Sequence, residues 1–144
     1  MHTLRSRATG VTLVELMTVV VVIAILASIA IPSYRAYLLR ANRSDAKSSL
    51  LQLQAAQEKF YLSNSAYTTN VTGNPPAGLG MVDVTQHGYY KLTVVSDGQS
   101  YTATAAPIAG AGQTADNACG SFSLTDTGIR AISAAATNTE TCWK

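Results

Sequence analysis

The sequence predicts an α+β protein in which one long N-terminal α-helix packs on a four-stranded antiparallel sheet. Three observations support this class. Residues 16–31 form an apolar run without a single charge, a helical apolar stripe follows it, and two pairs of β-rich segments occupy the last third of the chain. With 47% hydrophobic and 12% charged residues, the 144-residue chain is excluded from the intrinsically disordered class.

The apolar run begins the helix and is long enough to cross a bilayer when it is extended back to Val11. It can be interpreted as a membrane anchor, as a cleaved secretory signal with small residues at 27–30, or as a retained segment of a processed precursor. Glu15 favours the third interpretation, because an ordinary signal or anchor gains nothing from a carboxylate in hydrocarbon. An intramembrane carboxylate needs a partner.

The segment GVTLVEL at residues 10–16 resembles the prepilin signature of type IV pilins and related pseudopilins, and a short leader with Arg5 and Arg7 precedes it. The family usually has Phe where this chain has Val11. The resemblance implies that a prepilin peptidase cuts after Gly10 on the cytoplasmic side, methylates the new amino group of Val11, and leaves the apolar segment in place.

The same resemblance assigns an assembly role to Thr12 and Glu15. Glu15 is expected to pair with the α-amino group of Val11 on a neighbouring subunit and so to set the register between two helices. The expected domains are a leader, 1–10; a transmembrane or filament-core helix, 11–34; and a soluble pilin head, 35–144, made of an amphipathic helix, 35–62, a loop, 63–88, and a sheet and disulfide region, 89–144.

Pro32 predicts a helix break, because proline lacks an N–H and disfavours helical geometry at the residue before it. Beyond it the helical pattern continues to about residue 62. Five residues recur at helical spacing and predict the face that packs on the sheet: Ala46, Leu50, Leu53, Gln57 and Phe60. Arg35, Arg40, Arg43 and Lys47 are interpreted as a solvated helix face with partners such as Asp45.

The four strands are predicted at residues 89–95, 100–106, 121–125 and 129–133. Asp97-Gly98 and the turn at 126–128 separate the members of each pair and indicate two hairpins. The loop at 63–88 is rich in Asn, Gly, Ser and Pro, and residues 61–68 resemble the start of the corresponding loop in PilE-type minor pilins, where tyrosines pack against the helix.

Cys119 and Cys142 are the two cysteines of the chain, and neither a second CxxC nor a His pair accompanies them, which disfavours a zinc site. They are expected to pair if this part of the chain lies outside the cytoplasm. The resemblance to PilE-type pilins also implies that they bound a C-terminal disulfide loop. The type IV pilin fold is therefore the expected architecture.

No catalytic, cofactor-binding or metal-binding residue is predicted, so the chain is interpreted as a non-enzyme. His2 and His87 have no Cys, Ser or carboxylate neighbours in the sequence. Five carboxylates are scattered through turns, where a calcium site is the less common alternative to solvated side chains: Asp83, Asp97, Asp116, Asp126 and Glu140.

Two functions remain after enzymes are excluded. The favoured function is a structural minor pilin of a type IV pilus that contributes to pilus assembly, twitching motility and surface attachment. The alternative is a DNA-binding pilin that acts as a receptor in natural transformation. Without residues 1–10 the chain has eight basic and eight acidic side chains, and only Lys91, Arg130 and Lys144 are basic after residue 60, which disfavours DNA as a partner.

The resemblance also implies the partners and the location. The expected partners are other pilin subunits, the prepilin peptidase, and the inner membrane with its pilus assembly machinery. The protein is expected to cross the bacterial inner membrane once before assembly and then to lie in a pilus on the cell surface.

Overall fold

A computed structural model describes residues 10–134 and 138–144. The predicted leader residues Arg5 and Arg7 lie outside this range, as do residues 135–137. The elements in chain order are α1, Leu13–Asn64; β1, Tyr90–Ser96; β2, Tyr101–Pro107; a 3-10 helix, Gln113–Ala115; β3, Phe122–Thr125; β4, Arg130–Ile132; and α2, Thr139–Trp143.

The chain divides into two compact units, which meet between Tyr37 and Leu38. In the first unit, the apolar side chains of residues 11–31 are exposed, with values from 51% to 71% for the large ones. Among the described residues, α1 is the helix long and apolar enough to span a membrane, and its most apolar 18-residue window has a mean hydropathy of 2.7.

α1 is continuous from Leu13 to Asn64 with Pro32 inside it, so the proline does not end the helix, and the kink or loosening expected there stays a prediction. A proline removes one main-chain donor, and the hydrogen bonds on either side can keep a single helix continuous. Next to the proline, the Ser33 hydroxyl donates to the carbonyl of Ile29 at 2.9 Å. The expectation that this stretch unwinds on filament packing concerns an assembly, and it stays a prediction.

The core of the second unit, Leu38–Lys144, is formed by one face of α1 and one face of the sheet. Ala46, Leu50, Leu53 and Gln57 are fully buried, which confirms most of the predicted stripe, while Phe60 is half-buried. The inward residues of the sheet alternate along each strand, as expected for a half-buried sheet. They are Tyr90, Leu92, Val94, Tyr101, Ala103, Ala105, Phe122 and Leu124.

The sheet has the order β1-β2-β3-β4, and every neighbouring pair is antiparallel. Both predicted hairpins are present, and no strand bound differs from the predicted one by more than one residue. Gly98 and Gly128 lie in the turns with φ of 90° and 80°, a backbone conformation that glycine adopts without strain.

The loop between α1 and β1 is attached to the helix through Gln57. Its side-chain amide donates to the carbonyl of Thr68 at 2.6 Å and accepts from the N–H of the same residue at 3.1 Å. Tyr67 lies between Tyr61 of the helix and Tyr101 of β2, with ring centroids 4.6 and 4.8 Å apart. The tyrosine packing predicted for this loop is thus present in the structure.

Candidate functional site

The start of α1 holds the residues predicted for processing and assembly. Gly10, Val11 and Thr12 precede the helix, and the Thr12 hydroxyl accepts a hydrogen bond from the N–H of Glu15 at 3.2 Å. This is half of a capping box, in which a threonine and a glutamate three residues later satisfy the first N–H groups of a helix. The sequence spacing contained this signal, but the sequence prediction missed it. The Glu15 side chain is exposed in the isolated chain.

Cys119 and Cys142 form a disulfide, as predicted, with their Cα atoms 5.9 Å apart. Both cysteines are buried. The described part of the segment before Cys142 includes the start of the short helix α2. Asn138 caps α2 by accepting from the N–H of Glu140 at 2.9 Å. The disulfide therefore fixes a helical turn, and not a bare loop, against the sheet.

The residue after Cys142 is buried by the same arrangement. The Trp143 indole N–H donates to the carbonyl of Ala131 in β4 at 3.2 Å, and its ring meets Phe122 edge to face at 5.7 Å. The guanidinium carbon of Arg130 lies 5.1 Å from the ring centroid of Trp143, within the range of a cation–π contact. A fixed indole ring thus positions the Arg130 side chain.

Three cations that are distant in sequence lie close together here. The Lys47 ammonium donates a hydrogen bond to the main-chain carbonyl of Lys144. Arg130 and Lys144 line one surface depression. Partial burial lowers the pKa of Lys47, and the positive charges of Arg43 and Arg130 lower it further. We call Lys47, Arg130 and Lys144 the C-terminal basic cluster.

Arg130 and Lys144 of the C-terminal basic cluster border an open surface depression of about 540 Å³. Arg130, Trp143 and Lys144 line it together with Thr139 and Glu140. Arg40 lies two helical turns before Lys47 and is exposed on the same face of α1. Glu140 is the acidic residue of the depression, so positive charge predominates there.

Arg43 belongs to the same helix face, but its charge is neutralised. Its guanidinium forms two hydrogen bonds with the carboxylate of Asp116, at 2.7 and 2.8 Å, and the Asp116 side chain is only 2% exposed. Gln113 extends this contact by donating to the carbonyl of Leu39 at 3.1 Å. These bonds attach the segment after β2 to α1. The prediction of a solvated face with Asp45 as the acidic partner is therefore wrong for Arg43.

Asp45 is buried and pairs with His87, whose Nδ1 lies 3.1 Å from Oδ1 of the carboxylate. The sequence prediction left His87 without a carboxylate neighbour, because its partner is 42 residues away on α1. A histidine and a carboxylate without a nucleophile do not form a catalytic triad. Within residues 10–134 and 138–144, no group of three His, Cys, Asp or Glu side chains is placed to hold a metal ion.

Comparisons with known proteins give a family match over most of the chain. Residues 32–123 match the family described as "Type IV minor pilin ComP, DNA uptake sequence receptor". Residues 5–31 match the prokaryotic N-terminal methylation motif. The two matches adjoin each other, so the apolar segment and most of the second unit are both accounted for.

Similar proteins include pilins and a secretion protein. The chain is 34% identical over 108 residues to the type IV major pilin protein PilA of Myxococcus xanthus, which covers 74% of this chain and 47% of PilA. It is 33% identical to a fimbrial protein of Neisseria meningitidis, over 62% of this chain and 51% of that protein. It is 36% identical to the type II secretion system core protein G of Klebsiella pneumoniae, over 46% and 48% of the two chains.

The chain thus spans about half the length of the curated relatives it matches. Among solved structures, a type IV pilin from Shewanella oneidensis aligns with 24% identity and a TM-score of 0.47, over 70% of this chain and 96% of that one.

Proposed function

Because the chain belongs to the family of type IV minor pilins described as ComP, DNA uptake sequence receptors, we propose that it binds duplex DNA as a receptor in DNA uptake. The observation that carries the proposal is the family match over residues 32–123, which runs from the apolar segment of α1 into β3. A role limited to pilus assembly, twitching motility and attachment was favoured by the sequence alone, and the family match supports the alternative instead.

The placement of charge supports DNA as a ligand although the second unit has no net charge. Leu38–Lys144 contains seven basic and seven acidic side chains. DNA binding depends on cations that meet phosphates locally, and buried ion pairs do not contribute to it. Asp116, Asp45 and Asp83 are paired with Arg43, His87 and Lys91. The basic residues outside these pairs include two exposed ones, Arg40 on α1 and Arg130 beside Trp143.

We also propose that the chain is cut between Gly10 and Val11 and that Val11 is then methylated. The support is the N-terminal methylation motif at residues 5–31. In this proposal residues 11–34 cross the inner membrane and later enter a pilus, where Glu15 pairs with the amino group of Val11 in a neighbouring subunit. Residues 35–144 form the head outside the membrane, and the partners are other pilins, the peptidase and the assembly machinery.

DNA binding can be measured directly with the full chain in a neutral detergent. Fluorescence anisotropy of a labelled duplex should rise with protein concentration, and the association constant should fall linearly with salt on a double-logarithmic plot. The description of the family names a DNA uptake sequence. Selection from a random duplex library should therefore enrich one short sequence over its shuffled control.

Two results would contradict the proposed function. The first is an anisotropy that does not change with the duplex at low salt. The second is a deletion strain of a naturally transformable host that imports labelled DNA at the wild-type rate. A strain that loses twitching but keeps DNA uptake would restore the structural role as the main function.

A further inference from the structure

We propose that the C-terminal basic cluster, with Arg40 beside it on α1, is the surface that binds the phosphates of duplex DNA. This inference rests on the proposed function and adds a location to it. The cluster residues Arg130 and Lys144 lie outside residues 32–123, so the family match does not point to them.

Most of the cations that are available to a ligand lie at this surface. Among the described residues, the ion pairs are Arg43 with Asp116, Lys91 with Asp83, and His87 with Asp45. Five basic residues of Leu38–Lys144 therefore take part in none of these pairs: Arg40, Lys47, Lys59, Arg130 and Lys144. Four of the five belong to this one surface, and Lys59 lies on α1 at the other end of the unit.

Keeping these cations together has an energetic cost. Lys47 is partly buried, contacts the main chain of Lys144 and lies near Arg130, and Glu140 is the one carboxylate among the residues that line the depression beside Arg130 and Lys144. Like charges at short range repel each other, so this arrangement costs stability in the isolated protein. A polyanion that binds at the surface removes this repulsion, whereas a neutral partner does not.

The cations at this surface are spaced widely enough to meet more than one phosphate. Arg40 and Lys47 are seven residues apart on one helix face, which corresponds to about 10 Å at 1.5 Å per residue. Cations separated by this distance can meet different phosphates of one DNA duplex. Arg130 and Lys144 add two further cations at the depression, and the main chain of Lys144 contacts Lys47, so several phosphates of one duplex can meet cations here.

This surface is suited to contacts with DNA phosphates and not to stacking on bases. Trp143 is only 9% exposed and its ring faces Arg130, so it is not available for stacking on a base. It is a positioning residue that holds the Arg130 guanidinium at the surface. We therefore assign affinity and orientation on the duplex to this surface, through phosphate contacts, and assign recognition of base sequence to other residues.

The test is a salt titration of DNA binding by charge-removing variants of the full chain in neutral detergent. The triple variant Lys47→Gln, Arg130→Gln, Lys144→Gln should bind more weakly, and its log–log salt slope should be less negative by about 2 to 3, since each lost phosphate contact removes about 0.9. The matched control is Lys59→Gln with Lys91→Gln, which removes charge elsewhere and should leave the slope within about 1 of the wild type.

Trp143 provides a second measurement at the site, because it is the single tryptophan of the chain. Its fluorescence, excited at a wavelength that DNA does not absorb, should change on duplex addition with the same midpoint as the anisotropy. Arg130→Lys keeps the positive charge and should retain most of the affinity, and thermal unfolding should show that each variant is folded.

The possible results distinguish a wrong location of the phosphate-binding surface from a wrong proposed function. If the wild type binds and the triple variant binds equally well while the control variant is weakened, the phosphate surface lies elsewhere and this inference is wrong, but the proposed function stands. If the wild type does not bind DNA at all, both are overturned. A weakened triple variant that is folded, beside an unaffected control, supports the inference.

Discussion

Reduction of the Cys119–Cys142 disulfide should destabilise the second unit by about 3 kcal/mol. The crosslink spans 23 positions, and in the chain-entropy model a loop of this size restricts the unfolded chain by about 11 cal/mol/K, or about 3.4 kcal/mol at 25 °C. Both cysteines are buried in the core, so the same bond also holds α2 and Trp143 on the sheet. Typical stabilities of small domains are only about 5 to 15 kcal/mol, so this loss is large.

The assay is urea unfolding of the full chain in neutral detergent, with and without a reductant. Trp143 fluorescence reports the region beside the disulfide, and circular dichroism of the sheet reports the rest of the unit. The control is the double variant Cys119→Ala, Cys142→Ala, which should show the lower stability under both conditions. A reductant effect below about 1 kcal/mol, or two titratable thiols in protein exported to an oxidising compartment, would refute the reasoning.

Three further predictions follow from other contacts. Glu15→Ala should leave membrane insertion intact or improved but reduce incorporation into pili, and normal incorporation beside wild-type subunits would contradict its assembly role. Asp116→Ala should lower the free energy of unfolding by about 3 kcal/mol, because it leaves the partly buried Arg43 unpaired, and Arg43→Met in the same chain should recover part of this loss in a double-mutant cycle. Burial raises the pKa of Tyr90 to about 12, above the usual value near 10. Its contribution to stability is thus complete below pH 10 and is lost as the pH rises towards 12, by about 1.4 kcal/mol per pH unit, and Tyr90→Phe should remove this part of the pH dependence in urea unfolding.

Much of the fold is readable from the sequence, because local patterns determine it. The helical stripe of α1, the two glycine-containing hairpin turns and the alternation along β1 and β2 each depend on neighbouring residues. The disulfide was predictable because the chain has only two cysteines. The continuity of α1 at Pro32 was not, since a proline raises the cost of a helix without determining whether the flanking turns compensate for it.

The candidate site was harder to predict, because tertiary contacts create it. The sequence prediction counted only the basic residues after residue 60. It therefore considered Arg130 and Lys144 without Lys47, although the fold places the three together. Likewise, pairing of Arg43 with Asp116 and of Asp45 with His87 joins residues 73 and 42 positions apart. Sequence spacing does not show which charges neutralise each other. The sequence held one signal that Trp143 and Lys144 are fixed on the sheet. They directly follow Cys142, which the predicted disulfide anchors.

The two hydrogen bonds between Gln57 and Thr68 restrict how the sequence of this chain can vary. Both groups that Gln57 contacts belong to the main chain, so the contact makes no demand on the side chain at position 68. Glutamate at position 57 would lack the N–H donor, and leucine would leave two buried polar groups unsatisfied. Natural variants should therefore keep glutamine on the helix while the loop that it holds changes its residues and keeps its path.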